Sequence, residues 1–452
     1  MSSRLWRILF VTLALFLALA LAWNLPVVQE KLGWRLESAL AWARQKLNPP
    51  QEAVFLPSGL PTPVIHRTAA PSPQISAQPT ILPTLAPPTA TLPPVPPRTD
   101  LRGAKVYTDQ KNRWNYCGPA NLVMALKFWG WKGLPGSTLD LRDQVAQVIK
   151  PGFNDPKKDF IARGRLDLNV MPYELVDFVN DETEFAALAR FGGDMTLLKR
   201  LLAAGFPAII EKGYYEFDTQ GKRTWMGHYL FVTGYDETSG VFIVQDAYYL
   251  DTQKPRKDEQ VKYADFLSGW RSFNYLLLLV YPPERAAELE AVLGSWNDPA
   301  WANQRALETA EADILSTQKI DLFFAWFNKG TSLVQLQQYD LAAPAYDEAF
   351  RLYASLPQDE NYRPWRMVWY QTGPYWAYFY TGRYADVVAL ANVTLSTPST
   401  GPTLEESLYW RGMAEWALGD LAAAQADMRE SVRLNPHFAP GLQRLQEWGL
   451  QP

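Results

Sequence analysis

Four positions in this 452-residue chain have the residue types for acyl chemistry: a thiol, an imidazole, a carboxylate and a carboxamide. The thiol is Cys117, the only cysteine, in "NRWNYCGPANLVMAL". Pro119 suits a first helical turn, where its missing N–H is no loss, so Cys117 stands at or just before a helix N-terminus. Unpaired amides and the helix dipole favour an anion there, and such a setting raises the thiolate fraction of a cysteine. The competing reading is a cysteine packed as a small hydrophobe. A cysteine nucleophile needs an imidazole partner. Of the three histidines, His66 falls in a proline-rich stretch, His437 near the C-terminus, and only His228 in the same globular stretch as Cys117. The alternative for His228 is a satisfied histidine at a strand end.

The carboxylate comes from strand geometry. "HYLFVTGYDETSGVFIVQDAYY" reads as two strands about a turn at Asp236–Gly240. A turn centred on Glu237 sets His228 directly opposite Asp246, about 5 Å apart at Cα, where a carboxylate can hold the ring's orientation and tautomer; an ordinary cross-strand pair is the plainer reading. For the oxyanion, two upstream amides compete, with the Cys117 N–H as second donor. One is Gln110. The other, Asn115, could instead cap the helix.

The surrounding elements must position these groups. "CGPANLVMALKFWGW" is a helix closed by Gly130, and "MTLLKRLLAAG" (195–205) a second helix stopped by glycine. "FPAIIEK" (206–212) and "FNYLLLLVYPP" (273–283) are strands, and "GYYEFDTQGKRTWMG" before His228 reads as a long loop able to shape a cleft. Strands after a helical first half give an α+β domain over 101–282. Residues 283–318 form connecting helices. From 319 to 452 the chain is all-helical, with weak internal repetition: "YDLAAPAYDEAFRL" aligns with "LAAAQADMRESVRL", and "YFYTGRYADVVALA" lies between them. A W-x-x-x-G pattern followed by a small-residue helix resembles tetratricopeptide repeats, here about three and irregular in period. The plainer reading is a generic helical bundle.

The N-terminal hundred residues are of another kind. No charge falls between Arg7 and Glu30, and Ile8–Pro26 is long enough to cross a bilayer. Arg4 and Arg7 set the N-terminus inside and the bulk outside. Residues 1–26 are therefore expected as a transmembrane anchor of a single-pass, extracytoplasmic protein. A cleaved signal segment, giving a secreted protein, is the alternative. Residues 27–48 read as a juxtamembrane amphipathic helix. Residues 49–100 hold 15 of the 35 prolines and read as a solvated spacer. A net charge of −4 without a basic run argues against nucleic acid. One cysteine and three dispersed histidines give no disulfide, metal site or cofactor motif.

In order, "DQKNRWNYCGPANLVMAL", "LLKRLLAAGFPAII" and "GHYLFVTGYD…VQDAYY" resemble papain-fold cysteine peptidases of the double-glycine, bacteriocin-processing type, in the C39-like branch without a transporter. The likeness covers about 101–282. It implies a papain-like α+β domain with Cys117 as nucleophile, His228 as general base, Asp246 as its orienting acid and Gln110, ahead of Asn115, lining the oxyanion hole. It also implies a peptide or protein substrate, with the repeats taking a protein partner. A peptide-binding scaffold that no longer cleaves, and an acyl transferase using the same thioester, are the alternatives.

Overall fold

The computed structural model describes residues 54–59, 95–110, 115–151, 170–217, 223–248, 254–357, 363–396 and 404–452. The expected anchor (1–26), the juxtamembrane helix (27–48) and most of the spacer lie outside the described residues. Among the described residues no helix is long and apolar enough to cross a membrane.

A seven-stranded antiparallel sheet organises the first half. Its strands are β1 (Arg98–Asp100), β2 (Ala186–Arg190), β3 (Ala208–Phe217), β4 (Arg223–Asp236), β5 (Val241–Asp246), β6 (Arg256–Lys262) and β7 (Leu277–Tyr281). Their order is β2-β7-β3-β4-β5-β6, and β1 pairs with β4. The apolar run at 276–280 has a simple cause. Leu278 and Val280 pack on one face and Leu277 and Leu279 on the other, because side chains alternate along a strand. The first face carries helices α1 (Cys117–Phe128), α2 (Leu141–Ile149) and α3 (Pro172–Glu182). The second carries α4 (Met195–Ala203), α5 (Tyr263–Arg271) and α6 (Ala286–Leu293). Both faces are covered over the middle of the sheet, so the central strands lack the polar alternation of a half-solvated sheet, which edge strand β6 keeps.

The stretch 213–227, expected as a loop, is mostly ladder. Tyr214 pairs with Met226 and Tyr215 with Trp225. Its alternating aromatics are strand chemistry, and the hairpin arms reach Phe217 and Arg223. The spacer assignment also meets structure at its edges: Arg98 pairs with Asp236 within the sheet, and residues 54–59 lie on the helical region.

That region begins with α7 (Pro299–Ser316). Helix pairs follow: α8 (Lys319–Gln335) with α9 (Tyr339–Ser355), α11 (Gly373–Tyr380) with α12 (Tyr384–Ser396), and α13 (Glu405–Leu418) with α14 (Leu421–Leu434). The four-residue α10 (Met367–Tyr370) sits before the second pair, and α15 (Ala439–Glu447) closes the chain. The small residue in the first helix of a pair has a steric reason. A Cβ on Gly330 would come within 2.7 Å of the Tyr346 ring on the facing helix.

The sheet and the helices share a core. Trp225 on β4 stacks on Phe273 at 5.7 Å and meets Phe324 of α8 and Tyr370 of α10. Burying side chains of this size contributes roughly 1.5–3 kcal/mol each. A second junction is polar: Lys150, after α2, is 2% exposed and pairs with Glu174 of α3 at 3.1 Å and with Glu405 of α13.

Candidate active site

Helix α1 starts at Cys117. Ala120, Leu122, Val123, Met124, Ala125 and Leu126 are all buried, so apolar packing on every side seats this helix deep in the domain. Asn121 fixes its height. The side-chain amide donates to the Cys117 carbonyl at 2.8 Å and to the Tyr229 carbonyl on β4 at 3.0 Å. One residue thus ties the thiol-bearing turn to the strand that carries the histidine.

His228 lies on β4, 4% exposed. Its Nε2 is 2.7 Å from Asp246 Oδ1, and Cys117 lies close enough to the ring to shift its charge balance. With Nε2 committed to the carboxylate, Nδ1 is the nitrogen left for the sulfur. The rings of Tyr214 and Tyr248 stand edge-on to the imidazole at 5.6 and 6.3 Å. The residue before it must be small: a Cβ on Gly227 would lie 2.7 Å from Phe273 and 3.0 Å from Tyr370. That is the steric meaning of Gly-His in this sequence.

The His228–Asp246 contact forms, but not by the register expected. Asp236 pairs with Val241, and a bulge between Val232 and Gly234 shifts the ladder, so Phe231 faces Gln245. Continuing that register puts Asp246 opposite Leu230, two residues from His228. The side chains meet diagonally, within reach on one face of a sheet. Asp246, 2% exposed, accepts further from the Tyr248 N–H at 2.8 Å and pairs with Arg256, its neighbour on β6, at 2.7 Å.

These contacts set the charges. Burial disfavours the imidazolium, but the Asp246 carboxylate outweighs it and, with Cys117, lifts His228 to about 9. Burial likewise works against the Asp246 carboxylate, yet His228 and Arg256 hold it down to about 2. Both shifts favour the charged forms, an imidazolium facing a carboxylate.

Gln110 is 2% exposed. Its N–H donates to the Ala247 carbonyl at 2.9 Å, and the Tyr107 hydroxyl donates to the Asp246 carbonyl at 3.2 Å. The segment 107–110 is thereby pinned beside the end of β5. Asn115 is not the helix cap; that position is Tyr116, which makes no side-chain cap bond.

Three residues near the thiol were not legible in the sequence. Glu211 on β3 is buried; desolvation, then the nearby Cys117, push its pKa well up. Tyr229, directly across the ladder from Glu211, donates its hydroxyl to the Val170 carbonyl at 2.9 Å. Tyr370, from the helical region, packs its ring against Gly227 and lies close enough to Cys117 and Glu211 to feel both. The period-2 alternation of β3 and β4 was the available signal for Glu211 and Tyr229. Nothing local marks Tyr370.

A model of the Peptidase_C39 like family matches residues 104–277, and a tetratricopeptide repeat model matches residues 325–355 and 405–438. The chain carries a C39-like peptidase-family domain followed by tetratricopeptide repeats. The two matched repeat segments are α8/α9 and α13/α14, and α11/α12 is a helix pair between them. Among solved structures, the chain is similar to a crystal structure from Bacillus anthracis described as a "putative C39-like peptidase". The identity is 17%, over 40% of this chain and 96% of that one, with a TM-score of 0.28. No curated protein matches the sequence.

Proposed function

We propose that the chain is a cysteine hydrolase that cleaves peptide bonds through Cys117. The observation that carries this reading is one cluster: Cys117 at a helix start, close enough to His228 to raise its pKa, and His228 Nε2 2.7 Å from Asp246. A charged imidazole beside the sulfur favours the thiolate. The thiolate adds to the substrate carbonyl. The tetrahedral oxyanion is met by the Cys117 N–H and the Gln110 carboxamide. His228 then gives its proton to the leaving amine, the C–N bond breaks, and a thioester forms. Water, deprotonated by His228, attacks the thioester and releases acid and thiol. Asp246 does not take the proton; it holds the ring and stabilises its charge.

In this reading the papain-like domain spans 101–282, the repeats bind a protein partner or present substrate, and residues 1–26 tether the whole to the outer face of a membrane. The repeats' part in interaction follows the general use of stacked helix pairs as extended surfaces. The test is a peptide library incubated with the full chain, with new N-termini mapped. Cleavage lost in Cys117→Ala supports the reading. Products that form only with added amine would make the enzyme a transferase. Peptides that bind without turnover would make it a scaffold.

A further inference from the structure

The stretch 49–100 contains a single aromatic residue, Phe55. A solvated spacer has no use for it, yet Phe55 is 4% exposed. Its ring stands edge-on to Phe350 of α9 at 5.0 Å and meets Tyr378 of α11 at 6.0 Å. The next residue, Leu56, points away and is 63% exposed. Pro57 fixes the backbone and lacks an N–H to satisfy. Ser58 then turns back to the helices: its N–H donates to Asp386 Oδ1 at 2.8 Å and its Oγ to Asp386 Oδ2 at 3.0 Å. This is how an extended peptide is read, with one side chain in an aromatic pocket and a backbone donor on a fixed carboxylate.

The acceptor is built in advance. Asp386 on α12 receives Arg383 Nε at 2.8 Å; Arg383 also pairs with Asp347 at 2.9 Å. The Tyr378 hydroxyl donates to that same Asp347 at 3.0 Å. One cation faces two carboxylates, so the site keeps an excess of negative charge and suits donors. The wall of the Phe55 pocket and the acceptor for Ser58 belong to one network, which couples the two halves of the contact.

We propose that this surface of the repeats is a binding site for an extended Phe-Xaa-Pro-Ser segment, and that residues 55–58 of this chain are its resident ligand. Docking removes residues 55–97 from the reach of the spacer, so only the chain before Val54 separates the body from the N-terminal segment. The site is remote in function from Cys117, and the proposal does not depend on the chemistry there.

The test uses the full chain, wild type and with Phe55→Ala plus Ser58→Ala, which vacates the site without touching its walls. The probe is a fluorescent synthetic peptide of residues 51–59. A ligand held in cis acts at an effective concentration on the order of millimolar. The vacated chain should therefore bind the peptide roughly tenfold or more tightly than the wild type. The same peptide carrying both alanines should not bind. Hydrogen exchange over residues 54–59 should be slow in the wild type and fast in the variant. Equal peptide binding by both chains, no binding to the vacated chain, or free-chain exchange in the wild type would each overturn the proposal. Cys117 alkylation in the same samples should be unchanged. A thiol found inert there speaks against the hydrolase reading and not against this site.

Discussion

Two buried charge clusters invite comparison: His228–Asp246 beside Cys117, and Lys150 between Glu174 and Glu405. Both are almost without solvent, and both have shifted titrations. Burial and then Lys150, in opposition, leave Glu174 raised to about 7, because one ammonium cannot neutralise two buried carboxylates. Lys150 itself is raised, its two partners outweighing its burial. The clusters differ in what is left over. Around Lys150 the remaining capacity is spent inside the cluster: Asn435 donates to both carboxylates, and the Met171 N–H to Glu174. The cluster closes a junction between sheet domain and repeats. At His228 the carboxylate is fully engaged, but the ring's second nitrogen makes no bond to it and a thiol lies nearby. A shifted pKa marks both sites; only one of them has a nucleophile beside it, which is what the proposed chemistry needs.

The sharpest way to break this comparison is to remove the nucleophile or its base. Cys117→Ala or His228→Ala should each lower kcat/KM for peptide cleavage by about a thousandfold or more, while the thermal melt of Cys117→Ala moves far less. Lys150→Met should do the reverse. It strands two buried acids, so stability should fall by about 3–5 kcal/mol in denaturant unfolding, with Cys117 alkylation unchanged at temperatures where the chain stays folded. Lys150→Met combined with Glu174→Gln and Glu405→Gln should recover much of that loss.

Titration separates the clusters next. His228 is raised from 6.5 to about 9, so its contribution is full below pH 6.5 and is lost as pH rises through 9. Wild type should therefore lose on the order of 2–3 kcal/mol between pH 6 and pH 10 at this group, and His228→Asn should not show that loss. Asp246, depressed to about 2, contributes above pH 3.8 and loses its contribution as pH falls through 2. Glu174 runs opposite to His228 in cause. Its folded state holds a proton more tightly, so its term favours folding at low pH and weakens from pH 4.5 to about 7. Urea unfolding across pH, with and without Glu174→Gln, resolves it. The smallest expected effect is at the seam: Tyr370→Phe removes only a hydroxyl near Cys117 and should change KM about fivefold or less, without altering the fold.

Much of the active-site geometry was legible because it is local. A glycine-proline helix start fixes Cys117, and one hairpin carries both His228 and Asp246. The register was missed by two residues, since the turn lies later than Glu237 and a bulge at Val232–Gly234 leaves no mark in composition. The hairpin arms at 213–227 read as a loop because glycines and charges at their tip mask the alternation. Long-range features were not legible at all. Lys150 and Glu405 are 255 positions apart, Ser58 and Asp386 are 328 apart, and Tyr370 approaches Gly227 only through packing of the repeats. The aromatic in a proline-rich tract was the one available hint of the docked segment.

The central claim is that His228 activates Cys117, and the chain's single thiol allows a direct measurement. The second-order rate of Cys117 alkylation by iodoacetamide, measured in wild type and His228→Ala across pH 5–9, tests it. An active pair predicts a wild-type rate at pH 6–7 at least about tenfold above that of the variant, whose rate should climb only toward the free-cysteine range near pH 8.5. Identical profiles for the two proteins would contradict the account and return Cys117 to packing.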